Sequence, residues 1–180
     1  MEQPLTLERV INFLLETALF RDLDPTELSE VVRIMQIQRV RAGHPIFREG
    51  EEGDAWYVVF EGEADVVKET PFGPPRKLSV LAPHACFGEM AILDGSNRSA
   101  SVIARTEVAV FRFARAPFVE LLDSGNLAAY KLVYQMALVL CERQRNLTQR
   151  LSEVIEGEHA ERAGLRGSIG PLLDVYTVSE

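Results

Sequence analysis

The stretch Cys86-Phe87-Gly88-Glu89-Met90-Ala91-Ile92-Leu93-Asp94-Gly95-Ser96-Asn97-Arg98-Ser99-Ala100-Ser101-Val102 lies between two runs of strand character, and its middle is too short for a core helix. Gly88, lacking a Cβ, lets the backbone come close to a ligand. The turn that follows, through Met90 and Ala91, can aim backbone N–H groups at an anion, helped by the partial positive charge of a helix start. Glu89 stands at that same start. An ionised carboxylate only accepts hydrogen bonds, so its natural partner is a hydroxyl such as a ribose 2'-OH rather than a phosphate. Arg98 follows a turn bearing Gly95 and can fold back over it, offering a planar fork of donors to two phosphate oxygens. Ser99 adds a neutral hydroxyl. One phosphate, one hydroxyl and a close backbone describe a nucleotide monophosphate. On spacing alone, Glu89 and Arg98 read more readily as a surface ion pair, and that alternative stays open at the level of residue types.

Outward from this stretch the pattern is short and β-like. Runs at 36–40, 46–47, 56–60, 64–68, 78–81, 101–104 and 108–113 are rich in Val, Ile, Phe, Tyr and Trp. Turn residues separate them: Ala42-Gly43-His44-Pro45, Gly50 to Gly53, Glu61-Gly62, Pro71-Phe72-Gly73-Pro74-Pro75 and Asp94-Gly95. Seven or eight short strands at close spacing predict a roll or sandwich. Helical spacing flanks it on both sides. Leu7, Val10, Ile11, Leu14 and Leu15 recur at threes and fours, and Leu28, Val31, Val32 and Met35 follow Asp24-Pro25, a good N-cap and first helical residue. Residues 117–122 read as one or two turns. A Gly- and Pro-free run at 127–156 predicts a helix about 45 Å long. Up to Cys141 this run is apolar nearly all round, which predicts burial on more than one face. Beyond it only Leu147, Leu151, Val154 and Ile155 persist, a narrow stripe suited to a partner helix and hence to a homodimer.

Composition narrows the classes. At 180 residues the chain can bury one ordinary core. A net charge of −8 opposes a polyanion as main partner, because nucleic acid draws its affinity from Lys and Arg on phosphates. No apolar run reaches the roughly 18 residues of a membrane span, and Met1-Glu2-Gln3-Pro4 lacks a signal-peptide pattern, so no membrane is expected and the location is read as cytoplasmic. Cys86 and Cys141 stand far apart among apolar neighbours and read as small core residues. His44, His84 and His159 are scattered without ligand spacing, which argues against a metal and against an enzyme of the cupin type.

Two signatures then carry a resemblance. The run Phe87 to Leu93, followed by Arg98-Ser99-Ala100-Ser101-Val102, closely resembles the phosphate-binding cassette of cyclic-nucleotide-binding domains, found in bacterial catabolite activator proteins and in regulatory subunits of cAMP-dependent protein kinase. Ile46-Phe47-Arg48-Glu49-Gly50-Glu51-Glu52-Gly53-Asp54-Ala55-Trp56-Tyr57-Val58-Val59-Phe60-Glu61-Gly62 is similar to the Gly-rich strand-turn-strand that precedes it. The opening Leu19 to Leu28 resembles the helical lead-in. The resemblance implies that Phe87, Gly88, Met90, Ala91 and Ala100 shape a cradle for the cyclic phosphate. By the same resemblance Glu89 holds the ribose 2'-OH, and Arg98 with Ser99 grips the exocyclic oxygens. It also puts Val66 and Leu78 where the family packs apolar side chains against the purine; as residues alone they read equally as core. Counted without gaps from Arg98, the place of the purine-edge contact falls on Arg143 and Gln144, where the bacterial regulators have a Thr-Ser pair. Asn97 stands where many members have Pro.

The expected fold is therefore α+β and mainly β: an eight-stranded antiparallel β-roll with N-terminal helices and a long C-terminal helix. The expected organisation is a helical lead-in at 1–35, the β-roll at 36–115 with its cassette at 87–101, capping or dimer helices at 116–156, and a mobile or loosely docked tail at 157–180. The expected function is a non-enzymatic sensor of cAMP or cGMP, without a further cofactor, whose occupancy repositions the C-terminal helix and controls an unidentified partner protein. A cyclic-nucleotide-dependent transcription regulator is the first alternative. The 24 residues from Gly157 are Gly-rich and hold only two arginines, so if the chain is complete direct DNA binding is not expected, whereas a fragment of a larger factor would reopen that alternative. A degenerate β-roll serving protein contacts is the second.

Overall fold

The computed structural model describes residues 6–173, with the side chains of 154 and 157–173 outside the description. Two helices lead in. α1 (Leu7–Glu16) is capped by Thr6, whose hydroxyl accepts from Arg9 N. α2 (Pro25–Arg33) starts with the expected Asp24 cap, here a full capping box: Asp24 Oδ1 accepts from Glu27 N and Glu27 Oε2 accepts from Asp24 N. Eight antiparallel strands follow. They are β1 (Met35–Val40), β2 (Pro45–Phe47), β3 (Ala55–Glu61), β4 (Ala64–Lys68), β5 (Arg76–Leu81), β6 (Cys86–Phe87), β7 (Ser101–Ala104) and β8 (Val108–Ala114), with the short helix α3 (Glu89–Asp94) between β6 and β7. They form two four-stranded sheets, ordered β1-β8-β3-β6 and β2-β7-β4-β5. α4 (Arg115–Asp123) and α5 (Leu127–Leu173) close the chain. This is the predicted β-roll with its flanking helices; β6, two residues long, is the strand that periodicity does not reveal.

Two cores share the β1-β8-β3-β6 sheet. Along β3, Ala55, Tyr57 and Val59 face a core between the sheets with Val40, Ile46, Phe47, Phe87, Val102, Val108 and Val110. The alternate residues Trp56, Val58 and Phe60 join Phe111 and Phe113 of β8 in a second core against the helices. Both faces of these strands are thus apolar, which is why they read as continuous hydrophobic runs. In the second core Trp56 stacks on Phe113 at 4.0 Å and meets Phe118 of α4 edge-on at 5.8 Å.

The chain divides into two units, Met1–Met136 and Ala137–Glu180. In the first, α5 buries Ala128, Ala129, Leu132 and Met136, while Leu127, Tyr130 and Tyr134 stay exposed. One face is covered within this chain, not several as the apolar sequence suggested. In the second unit Leu138, Leu147, Leu151 and Ile155 are exposed. Cys141 is exposed there too, which corrects its reading as a core residue; Cys86 is buried as expected. The helix also does not stop near Glu156 but continues through Gly157, Gly164, Gly167, Gly170 and Pro171 to Leu173. Each glycine weakens a helix by about 1 kcal/mol relative to Ala, yet the Ala, Glu, Arg and Leu between them are good helix formers. The expected mobility of this tail, and residues 174–180, lie outside the described residues. No described helix is long and apolar enough to cross a membrane.

Candidate functional site

The cassette is built by two glycine turns around a helix of six residues. β6 pairs with β3, Phe87 opposite Tyr57 and Cys86 opposite Val58. At Gly88 the chain takes a φ of 77°, turning out of the strand and into α3 with no side-chain cap on the helix start. Gly95, at φ 73°, ends α3 by donating its N–H to the Ala91 carbonyl. The chain then runs beside the Gly50–Gly53 turn, where Arg98 N donates to Glu51 O at 2.8 Å and Gly50 N donates to Arg98 O at 2.9 Å. Gly53 is required for close approach, since a Cβ there would lie 2.1 Å from the Ala91 Cβ. The Gly-rich turn and the cassette, both prominent in the sequence, are thus one packed unit.

Arg98 lies at its centre with a side chain only 2% exposed. Its Nη1 donates to Gly88 O at 3.1 Å and its Nη2 to Ala55 O at 2.7 Å. The guanidinium lies over the Phe47 ring at 4.1 Å, with Tyr57 at 5.7 Å, inside an aromatic group completed by Phe87. Its nearest anion is Asp54 Oδ1 at 3.3 Å, from a side chain 62% exposed. Its Nε–H is buried without an acceptor. Burial pulls the Arg98 pKa below its ordinary value, opposed by Tyr57 and Asp54 beside it. A buried cation with one weak anionic contact and a spare donor is under-compensated. Chemically, such a group can receive a small anion.

The other predicted residues sort around this cation. Glu89 is buried at the start of α3, Phe87, Ala91 and Ala100 are buried, and Met90 is exposed. Ser99 is exposed, and its carbonyl accepts from Lys68 Nζ, which also pairs with Glu49 at 2.6 Å. Val66 is half-buried against the inter-sheet core. Leu78, 55% exposed, occupies a register shift where Val66 pairs with Ser79 and Val67 with Lys77. Arg143 and Gln144 are exposed on α5 in the second unit, outside the unit that holds the cassette. Sequence reasoning missed Phe47, Tyr57, Asp54 and Arg112 as site residues. The first three stand within the Gly-rich signature, but only the packing of the two sheets, with β2 paired to β7 and β3 to β6 and β8, brings them to Arg98. Arg112, on β8, had no signal at all. Among the described residues no group of three or more His, Cys, Asp or Glu could hold a metal ion.

The comparisons place the chain among known families and folds. The family model Cyclic nucleotide-binding domain matches residues 37–124. The chain is 30% identical over 163 residues to the Cyclic AMP receptor protein of Thermus thermophilus, covering 87% of this chain and 74% of that protein. It is 29% identical to the cAMP-dependent protein kinase regulatory subunit of Eremothecium gossypii, over 79% of this chain but only 31% of the length of that protein. The crystal structure of the Thermus thermophilus Catabolite Activator Protein superposes with a TM-score of 0.67 at 28% identity, over 76% of this chain and 62% of that one.

Proposed function

The chain belongs to the cyclic nucleotide-binding domain family, and we propose that within it this protein is a non-catalytic sensor of cAMP or cGMP that controls a partner protein through α5. The observation that carries the reading is Arg98, a guanidinium in a nearly closed aromatic cage whose Nε–H lacks an acceptor and whose one carboxylate contact is long. A cyclic phosphate supplies the missing charge and acceptors. Gly88 leaves room for the guanidinium that would receive it, because a Cβ there would lie 2.7 Å from Arg98 Nη1. In this reading Glu89 receives the ribose 2'-OH, Ser99 a second phosphate oxygen, and Val66 with Leu78 the purine face. A cytoplasmic setting, where such nucleotides are made, is part of it.

The cassette touches both cores, which supports a route to the helix. Ile92 of α3 belongs to the same buried cluster as Ala128, Ala129, Leu132 and Met136 of α5, whereas Phe87 belongs to the cluster between the sheets. A ligand that fixes α3 in one setting therefore biases the packing of the first turns of α5. The exposed apolar side chains of α5 suit pairing with a second copy of the same helix.

The test is a calorimetric titration of Arg98→Ala against the wild type with cAMP and with cGMP. Breaking a buried charge pair costs about 3–5 kcal/mol, so affinity is expected to fall by about two to three and a half decades. Equal affinities would overturn the assignment of Arg98, and with it the reading.

A further inference from the structure

Arg98 does not have Asp54 to itself. Asp54 Oδ2 accepts from Arg112 Nη2 at 2.6 Å, while its Oδ1 reaches Arg98 Nη2 only at 3.3 Å. Arg112 is a half-buried residue of β8, directly opposite Gln36 of β1 and Tyr57 of β3 in the sheet. Its Nη1 donates to Gln36 Oε1 at 3.2 Å. Burial lowers the Arg112 pKa, but Asp54 and Tyr57 outweigh that and leave it raised. The guanidinium is thus held by Gln36 of β1 and by Asp54, the residue just before β3. Asp54 is attached to the roll through Arg112, and Arg98 gets the weaker end of the carboxylate.

We propose that Arg112 is a positioning residue that sets how strongly the cassette binds an anionic ligand, by clamping Asp54 so that it cannot close on Arg98. Asp54 and the ligand phosphate are rivals for one cation. Held at 3.3 Å, Asp54 offsets part of the buried charge through one long hydrogen bond from Nη2, and it keeps a full partner in Arg112 when the phosphate arrives. Released from Arg112, the mobile and solvent-exposed carboxylate would shorten its contact to Arg98 and compete. The inference rests on the proposed cyclic-nucleotide reading of Arg98 and adds a second-strand control that none of the matched motif residues supplies.

A four-way comparison tests it: wild type, Arg112→Gln, Asp54→Asn and the double variant, titrated with cAMP and with cGMP. Arg112→Gln is expected to weaken binding roughly five- to tenfold, the size of one ordinary net hydrogen bond. The double variant is expected to bind as Asp54→Asn does, because without the rival carboxylate there is nothing to clamp. Binding by Arg112→Gln equal to wild type, or an equal loss in the presence and absence of Asp54, overturns the proposal. A purely structural role for Arg112 gives the second result. If the wild type binds neither nucleotide, the sensor reading fails, and the clamp is judged without ligand from the solvent exchange of the Arg98 guanidinium protons by nitrogen-edited NMR. Exchange is expected to slow severalfold in Arg112→Gln and to be the same in Asp54→Asn and the double variant; no slowing overturns the clamp on its own.

Discussion

Gly88 and Arg98 divide one small volume between them. A Cβ on residue 88 would approach Arg98 Nη1 to 2.7 Å and the Ala55 carbonyl to 3.3 Å, at a φ of 77° that L side chains rarely adopt. Gly88→Ala therefore strains the backbone by about 1 kcal/mol or more and displaces the cation that the site is built around. The expected outcome is a modest drop in unfolding stability with a loss of cyclic-nucleotide affinity several times larger than that drop predicts. Equal losses in the two measurements would mean that Gly88 serves only the turn. The residue types at this scale were legible: Gly88, Glu89 and Arg98 are quoted by the sequence and meet in the fold. The partners that make Arg98 unusual were not. Phe47, Tyr57 and Arg112 come from three different strands and Asp54 from the turn before β3, and their convergence is a product of register that no local pattern encodes.

At the scale of elements, β3 and β8 explain both the ease and the limits of reading this chain. Because one face of each packs between the sheets and the other against helices, their apolar runs announce burial but conceal which side chain faces which core. Phe118 is the clearest case. It is wholly buried and sits edge-on to Trp56, tying α4 to the sheet that backs the cassette. Phe118→Ala is expected to cost about 3–5 kcal/mol of unfolding free energy, read by urea denaturation; a loss under about 1 kcal/mol would show that α4 is not part of the cooperative unit. The start of α2 was readable because an Asp N-cap followed by Pro is a local chemical device, whereas its end was not: Met35, taken with the helical pattern, opens β1. β6 was not, since two residues have no period and are fixed only by Tyr57 and Val58 opposite them. The far end of α5 was misjudged for the converse reason: glycines lower helix propensity without forbidding helix.

At the scale of the whole molecule, Leu138, Leu147, Leu151 and Ile155 of the second unit are exposed at helical spacings. The proposed pairing with a second copy would bury them, and the reading predicts a dimer by sedimentation that Leu147→Glu with Leu151→Glu converts to monomer. A wild type that sediments as a monomer at all concentrations would sink the helix pairing while leaving the cassette intact. The apolar stripe was visible in the sequence because its spacing is local. The central claim concerns the cassette, and calorimetric titration of the wild-type chain with cAMP and with cGMP tests it most directly. The account predicts binding of at least one of them at micromolar concentration or tighter, with heat that disappears in Arg98→Ala; a protein that is folded and takes up neither would contradict it.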